Sequence, residues 1–245
     1  MLMRVHLIAA GKYHDIDFAR LELLKLLAER PEIRTSVASD FSDSGLIAAA
    51  DLLITYTCDL VPDVSQTAAL KTFLEAGGRW LALHGTNSLL RFLDDGSVET
   101  PDDAPEFMEL LGTRFAGHPP IGPYKVHVSR SDHPLTQGLR DFNVVDELYL
   151  THRTAEIDIL LHTTFKGTCP EFGDQQWDDE RMPVLYERHV GEGSVLYLTL
   201  GHCRGHYDLQ PLRPFYPHPE RCAWNYPIFH ELLRRGIAWG DPAGR

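Results

Sequence analysis

The stretch GGRWLALHGTN, residues 77–87, decides how this chain folds. Gly77 and Gly78 end whatever precedes them, residues 80–83 are a short apolar run, and His84 stands where that run stops. Gly85, Thr86 and Asn87 are turn and helix-start residues. A strand that breaks into a small-residue turn and then a helix is a nucleophile elbow, whose sharp turn lifts one side chain above the C-terminal edge of a parallel sheet. Hydrolases place Ser or Cys there. This chain places a histidine.

The flanking sequence supports a parallel sheet. Residues 4–10 are a β-type run ending at Gly11, and 17–30 carry helical apolar spacing through Phe18, Leu21, Leu24 and Leu27 until Pro31. Residues 33–38 and 51–57 read as strands, the second almost continuously apolar, as expected where a sheet is covered on both faces. Pro62 opens a helix over 64–76 with Leu70, Phe73 and Leu74 on its buried side. This alternation predicts parallel strands with right-handed crossovers, and functional groups near 11–14, 57–59 and 84–87. Downstream come an acidic loop (94–105), a short helix (106–111) and strands at 124–129, 156–164, 183–190 and 194–200. An amphipathic helix over 225–239 closes the chain. No repeat or linker divides the sequence, so residues 1–245 are expected to form a single domain.

The charge balance excludes some partners. Lys and Arg number 23 against 35 Asp and Glu, a net charge of −12, whereas nucleic-acid binding needs a basic face. No apolar stretch approaches the ~20 residues of a membrane span. The N-terminal run 5–10 contains His6 and reads as a buried strand rather than a signal peptide. Cys58, Cys169, Cys203 and Cys222 show no CxxC spacing, which points to a reducing, cytoplasmic compartment. Neither a GxGxxG after a strand nor a P-loop is present.

Seven ordered blocks carry a resemblance: KYHD (12–15), GGRWLALHG (77–85), LLGTRFAGHP (110–119), SDHPLTQGLRDF (131–142), DELY (146–149), GEGSVLYLTLGH (191–202) and RRGIAWG (234–240). Together they resemble the ThuA-like (trehalose utilisation) family, a branch of the class I glutamine-amidotransferase-like superfamily. The resemblance implies an α/β, flavodoxin-like three-layer sandwich with a mainly parallel central sheet, and an association with disaccharide or keto-sugar catabolism. It brings no settled reaction. Glutamine hydrolysis needs a thiolate at the elbow, and His84 occupies that place. Cys58, ending the third strand, is the one thiol placed to pair with it.

The candidate chemistry is carried by histidines and one acid. His84 reads as a catalytic base or ligand, its pKa lowered by the positive end of the following helix, or as a capping residue. His14 projects to the same edge, with Asp15 beside it to orient the ring or cap the next helix. His202 follows Gly201 at another strand end, and His118 lies in a proline-fixed loop. Glu147 in DELY has apolar neighbours that predict partial burial and a raised pKa, suiting a general acid, or else a structural carboxylate. The catalytic set is thus His84, Glu147, His14 and His202, with His118, Asn87, Tyr149 and Tyr207 to bind substrate. His133 reads as turn chemistry, His6 and His127 as packed or surface residues, and His152 and Arg153 are undecided. A zinc ion is the cofactor these residues offer, through His84, His118, Glu147 and His202. A weaker zinc spacing runs His202-x3-His206-x11-His218-x3-Cys222. Residues 203–226, with Tyr207, Phe215, Tyr216 and Trp224, suit a sugar-stacking lid or an oligomer contact. Folds of this type often form homodimers, but no exposed heptad or apolar stripe specifies an interface.

Three functions remain open on the sequence. The first is an enzyme, a hydrolase, lyase or isomerase acting on a small-molecule sugar through His84 and Glu147. The second is a non-catalytic sugar-binding protein. The third is a zinc-dependent hydrolase.

Overall fold

The computed structural model describes residues 2–173, 176–205 and 218–241. One half of a nine-stranded sheet consists of β1 (Met3–Gly11), β2 (Ile33–Ala38), β3 (Leu52–Cys58), β4 (Arg79–Leu83) and β13 (Gly193–Leu198), and these are mutually parallel. The other half, β8 (Gly122–Val128), β9 (Phe142–Asp146), β11 (Asp158–Gly167) and β12 (Trp177–Val190), pairs antiparallel. Across the sheet the order is β2-β1-β3-β4-β13-β12-β11-β8-β9. The order and direction of the parallel half are those of a flavodoxin-like sheet, whose switch point lies between β1 and β3. A small ribbon pairs β7 (Thr113–Gly117) with β10 (Leu150–Arg153), and a two-residue pair joins β5 (Arg91–Phe92) to β6 (Val98–Glu99).

Helices cover both faces. On one side α1 (Ile16–Ala28) and α5 (Pro227–Trp239) bury Leu23, Leu27, Phe229 and Leu233 against Leu7, Ile54 and Leu196. On the other, α2 (Ser44–Ala49), α3 (Val64–Glu75) and α4 (Pro105–Leu111) bury Ile47, Leu70, Phe107 and Leu111 against Ile8, Leu53 and Tyr197. Strand β4 shows the logic residue by residue. Trp80 and Ala82 enter one core, and Leu81 and Leu83 enter the other, as the two-residue period of a strand requires. Each such large side chain contributes about 1.5–3 kcal/mol on burial, and Trp80 also satisfies its indole N–H on Thr55 Oγ1 at 2.9 Å.

The helix ends follow their local chemistry. Asp15 caps α1 by accepting from Phe18 N, which settles its role as a cap. Asp63, not Pro62, caps α3, completing a capping box with Gln66. Gly77, at φ +95°, stops that helix with its N–H on Leu74 O, and Gly78 donates to Phe73 O.

Three expectations need correction. The elbow is followed by a 3-10 turn, His84–Asn87, and not by an α-helix, so no helix dipole acts on the His84 ring. Residues 44–49 form a short helix, capped by Asp43, in a segment too brief to show a helical period in the sequence. Strands β7, β9 and β10 fall in segments that alternate too briefly to read, and β12 begins at Trp177, six residues before Pro183. No helix among the described residues is long and apolar enough to cross a membrane.

Candidate active site

Three parallel strands each deliver one imidazole to the sheet's C-terminal edge. Beyond β1, Tyr13 takes φ +66° and turns the chain so that His14 faces inward, and Asp15 N is held on Cys203 O at 2.9 Å. Directly after β4, His84 itself takes φ +44°, an uncommon conformation for a residue with a side chain. Gly85 is required there because a Cβ would lie 2.8 Å from Cys58 Cβ and 2.7 Å from Thr57 O. Beyond β13, Gly201 at φ +125° turns the chain into His202. The fourth member, Glu147, follows β9 from the antiparallel half. His14, His84, Glu147 and His202 are all buried, and one ligand atom from each lies within 4.8 Å of the others.

Distances define the cluster. His84 Nε2 lies 2.9 Å from His14 Nε2, 3.4 Å from Glu147 Oε2 and 3.2 Å from Tyr149 Oη. Glu147 Oε2 lies 3.2 Å from His202 Nδ1, and Oε1 lies 3.2 Å from His118 Nε2. The rings are held from behind. His84 Nδ1 meets Thr199 O at 2.8 Å, His14 Nδ1 meets Lys12 O at 3.3 Å, and His202 Nε2 meets Glu220 Oε2 at 3.0 Å. Asp146 is the clamp between the two halves. Its carboxylate accepts from Glu147 N (2.8 Å), Gly201 N (2.8 Å) and His202 N (3.1 Å).

The electrostatics follow from this packing. Burial alone would raise the Glu147 pKa, but the facing His202, then His118, then His84 hold it well below the usual carboxylate range. Glu147 is therefore an anion, contrary to the raised pKa expected from its apolar sequence neighbours. Burial works against charge on His202, yet Glu147 and Glu220 lift its pKa to about 9. Burial, then the facing His84 and His202, hold His14 well below its ordinary value. Burial and the Glu147 charge push Tyr149 well above 10, so it remains a phenol. Burial, then Glu147 and Asp59, also push the Cys58 thiol up. Cys58 packs behind Gly85 as a neutral side chain, which removes it as a nucleophile partner for His84.

The structure thus brings together His14, His84, His118, Glu147, Tyr149 and His202. Asn87 faces elsewhere: its Nδ2 donates to Thr113 Oγ1 at 2.7 Å, and its backbone N–H donates to Tyr197 Oη in a buried polar knot beneath the elbow. His133 pairs with Glu187 at 3.1 Å and His127 with Asp141 at 2.8 Å, away from the cluster, and His6 bonds Ser36 at 2.8 Å. His152 stacks on Trp177. Trp224 is buried against Phe18 and Phe229 and donates to Gly201 O, so it buttresses the edge instead of forming a lid. Tyr207, His206, Phe215 and Tyr216 lie outside the described residues.

Several participants escape a sequence reading. Asp146 and Glu220 act on the cluster from behind, and the Lys12 and Thr199 carbonyls have no residue signature at all. Phe115 and Phe172 extend an aromatic row outward, with Phe115 4.6 Å from Tyr149 and Phe172 4.8 Å from the partly exposed His118. Of these, Asp146 alone has a signal in the chain, since it stands next to Glu147 in DELY.

With this geometry in hand, the relatives can be placed. The family model for ThuA, trehalose utilisation, matches residues 5–215. The chain belongs to the ThuA family. Membership links it to sugar metabolism and brings no reaction with it. A ThuA-like protein from Parabacteroides merdae is similar at a TM-score of 0.70 and 16% identity, over 99% of this chain and 91% of that one. One from Bacteroides uniformis gives 0.66 and 16%, over 97% and 91%. A GMP synthase component from Thermoplasma acidophilum gives 0.51 and 12%, over 100% and 99%. These likenesses show the fold, including its glutamine-amidotransferase-like character. No curated protein matches the chain.

Proposed function

We propose that this ThuA-family chain is an enzyme acting on a disaccharide or keto-sugar, with the His14, His84, Glu147 and His202 cluster as its reaction centre. The observation that carries this reading is the buried Glu147 carboxylate, approached within 3.4 Å by His84, His118 and His202 at the C-terminal edge of the sheet. Removing a carboxylate from water costs several kcal/mol, and groups perturbed in this way concentrate where chemistry is done. The reaction class that suits the set is proton transfer at a carbon next to a carbonyl. Anionic, imidazole and phenol groups lie within one hydrogen-bond step of each other, so a proton can leave one atom of the substrate and return to another. Phe172 and the partly exposed His118 are the aromatic faces nearest the surface, suited to stacking on a sugar ring, with Phe115 and Tyr149 buried behind them.

The test is incubation with trehalose and with keto-disaccharides in deuterated water, read by mass spectrometry. Deuterium incorporation or cleavage is expected in the parent protein and absent in His84→Ala. Saturable sugar binding by thermal shift, with neither exchange nor product, would replace this reading with that of a sugar-binding protein.

A further inference from the structure

We infer that His14 Nε2, His84 Nε2, His202 Nδ1 and the Glu147 carboxylate bind one divalent first-row transition-metal ion of the zinc or manganese kind. A carbonyl oxygen only accepts, so the Nδ1 atoms of His84 and His14, which face Thr199 O and Lys12 O, carry hydrogen. In the neutral rings, both Nε2 atoms then carry lone pairs, and they point at one another across 2.9 Å. Two facing lone pairs repel unless an electron acceptor sits between or beside them.

A shared proton could relieve that one contact, but it leaves His202 unexplained. The Nε2–H of His202 donates to Glu220 at 3.0 Å. Its Nδ1 points into the same space, and this fully buried nitrogen meets no partner in hydrogen-bond geometry; a cation there would take the place of the proton that the Glu147 charge favours. It lies 3.2 Å from Glu147 Oε2, off the hydrogen-bond direction. A ring that gives one nitrogen to a carboxylate and turns the other inward is the usual outer support of a metal-binding histidine. One cation satisfies all four groups at once.

The separations fit as well. Ligands at about 2.1 Å from an ion stand roughly 3.0–3.4 Å apart when adjacent, between octahedral and tetrahedral angles. The observed adjacent pairs lie at 2.9, 3.2 and 3.4 Å. Three imidazole nitrogens exclude calcium and magnesium, which take oxygen ligands, and the lack of a sulfur in the set disfavours copper(I). A carboxylate with three imidazoles suits zinc, manganese or iron(II), with positions left for water or substrate oxygen.

This assignment changes the division of labour in the proposed reaction, and only that part rests on the sugar reading. The four residues would hold the ion, and the chemistry it would supply there is polarisation of a bound carbonyl oxygen. His118 on Glu147 Oε1 and Tyr149 beside His84 are the neighbours left to move the proton.

The experiment is metal analysis of the purified full chain by mass spectrometry, before and after chelation, followed by return of zinc, manganese, cobalt or iron(II) singly. About one ion per chain is expected, with a rise in Tm when the ion is restored. His84→Ala and His202→Ala should lose the ion, Cys58→Ser should keep it, and Glu220→Gln should bind it roughly 10–100-fold more weakly. A folded parent chain that takes up none of the four ions overturns the inference, as does undiminished binding in folded His84→Ala. Sugar turnover by the metal-free protein would overturn the ion's part in the reaction while leaving the sugar reading intact. Stoichiometric ion without sugar turnover would support the site and remove the sugar reading.

Discussion

The parallel block contributes three imidazoles to the cluster, the antiparallel half contributes the carboxylate, and the ends of the β7–β10 ribbon contribute the phenol and His118. The parallel contributions are fixed by backbone: His14 and His84 each lean on a carbonyl at a strand end, and His84 is itself the bent residue of the elbow. The antiparallel contributions depend on a side chain. Asp146 joins the end of β9 to the exit of β13 by accepting from Gly201 N and His202 N, and it also accepts from Glu147 N. The parallel half therefore positions its imidazoles through the backbone, and the antiparallel half supplies the buried charge that two of them face.

This comparison can be broken at either side. Glu147→Gln keeps the shape of the antiparallel contribution and removes its charge, so a fall in kcat of roughly 10²–10⁴-fold is expected, with a lower Tm as the hold on the ion weakens. Unaltered kcat would mean that the parallel block works alone. Asp146→Asn sets an amide N–H against backbone N–H donors. It should cost about 1–3 kcal/mol in urea denaturation and lower kcat as well, because Glu147 and His202 both shift. A stability loss with kcat preserved would show that the clamp is only structural.

The smallest effect belongs to the outer surface of the antiparallel half. Val128 N–H, then His127 and Lys125, hold Asp141 down to about 2. A carboxylate with a depressed folded pKa stabilises the fold above its ordinary value near 4, and that stabilisation is lost as the pH falls towards 2. Asp141→Asn should therefore show a slightly lower urea midpoint than the parent at pH 6, and the gap should close by pH 2. A gap that persists at pH 2 would assign the effect to something other than the charge.

The legible parts of the molecule are those with local signatures. The apolar run 51–57 and the 77–87 block reveal β3, the stop of α3, β4 and the elbow because glycine punctuation and strand periodicity act within a few residues. Strand-end histidines follow from the topology, so His14, His84 and His202 can be named together. Glu147 can be named but not its charge state, since its pKa is set by His202 and His118, distant in sequence and adjacent only in the fold. Asn87 is misplaced by the sequence for a related reason: a turn that ends in a helix would have left it at the edge, whereas the 3-10 turn buries it under the elbow. Glu220 lies 18 residues beyond His202 with no motif to join them.

X-ray absorption at the metal edge of the reconstituted protein tests the central claim most directly, because it counts the ligands themselves. The account predicts nitrogen and oxygen scattering near 2.1 Å with outer-shell imidazole signals from about three histidines. Sulfur scattering near 2.3 Å, or a spectrum with at most one imidazole, would contradict it.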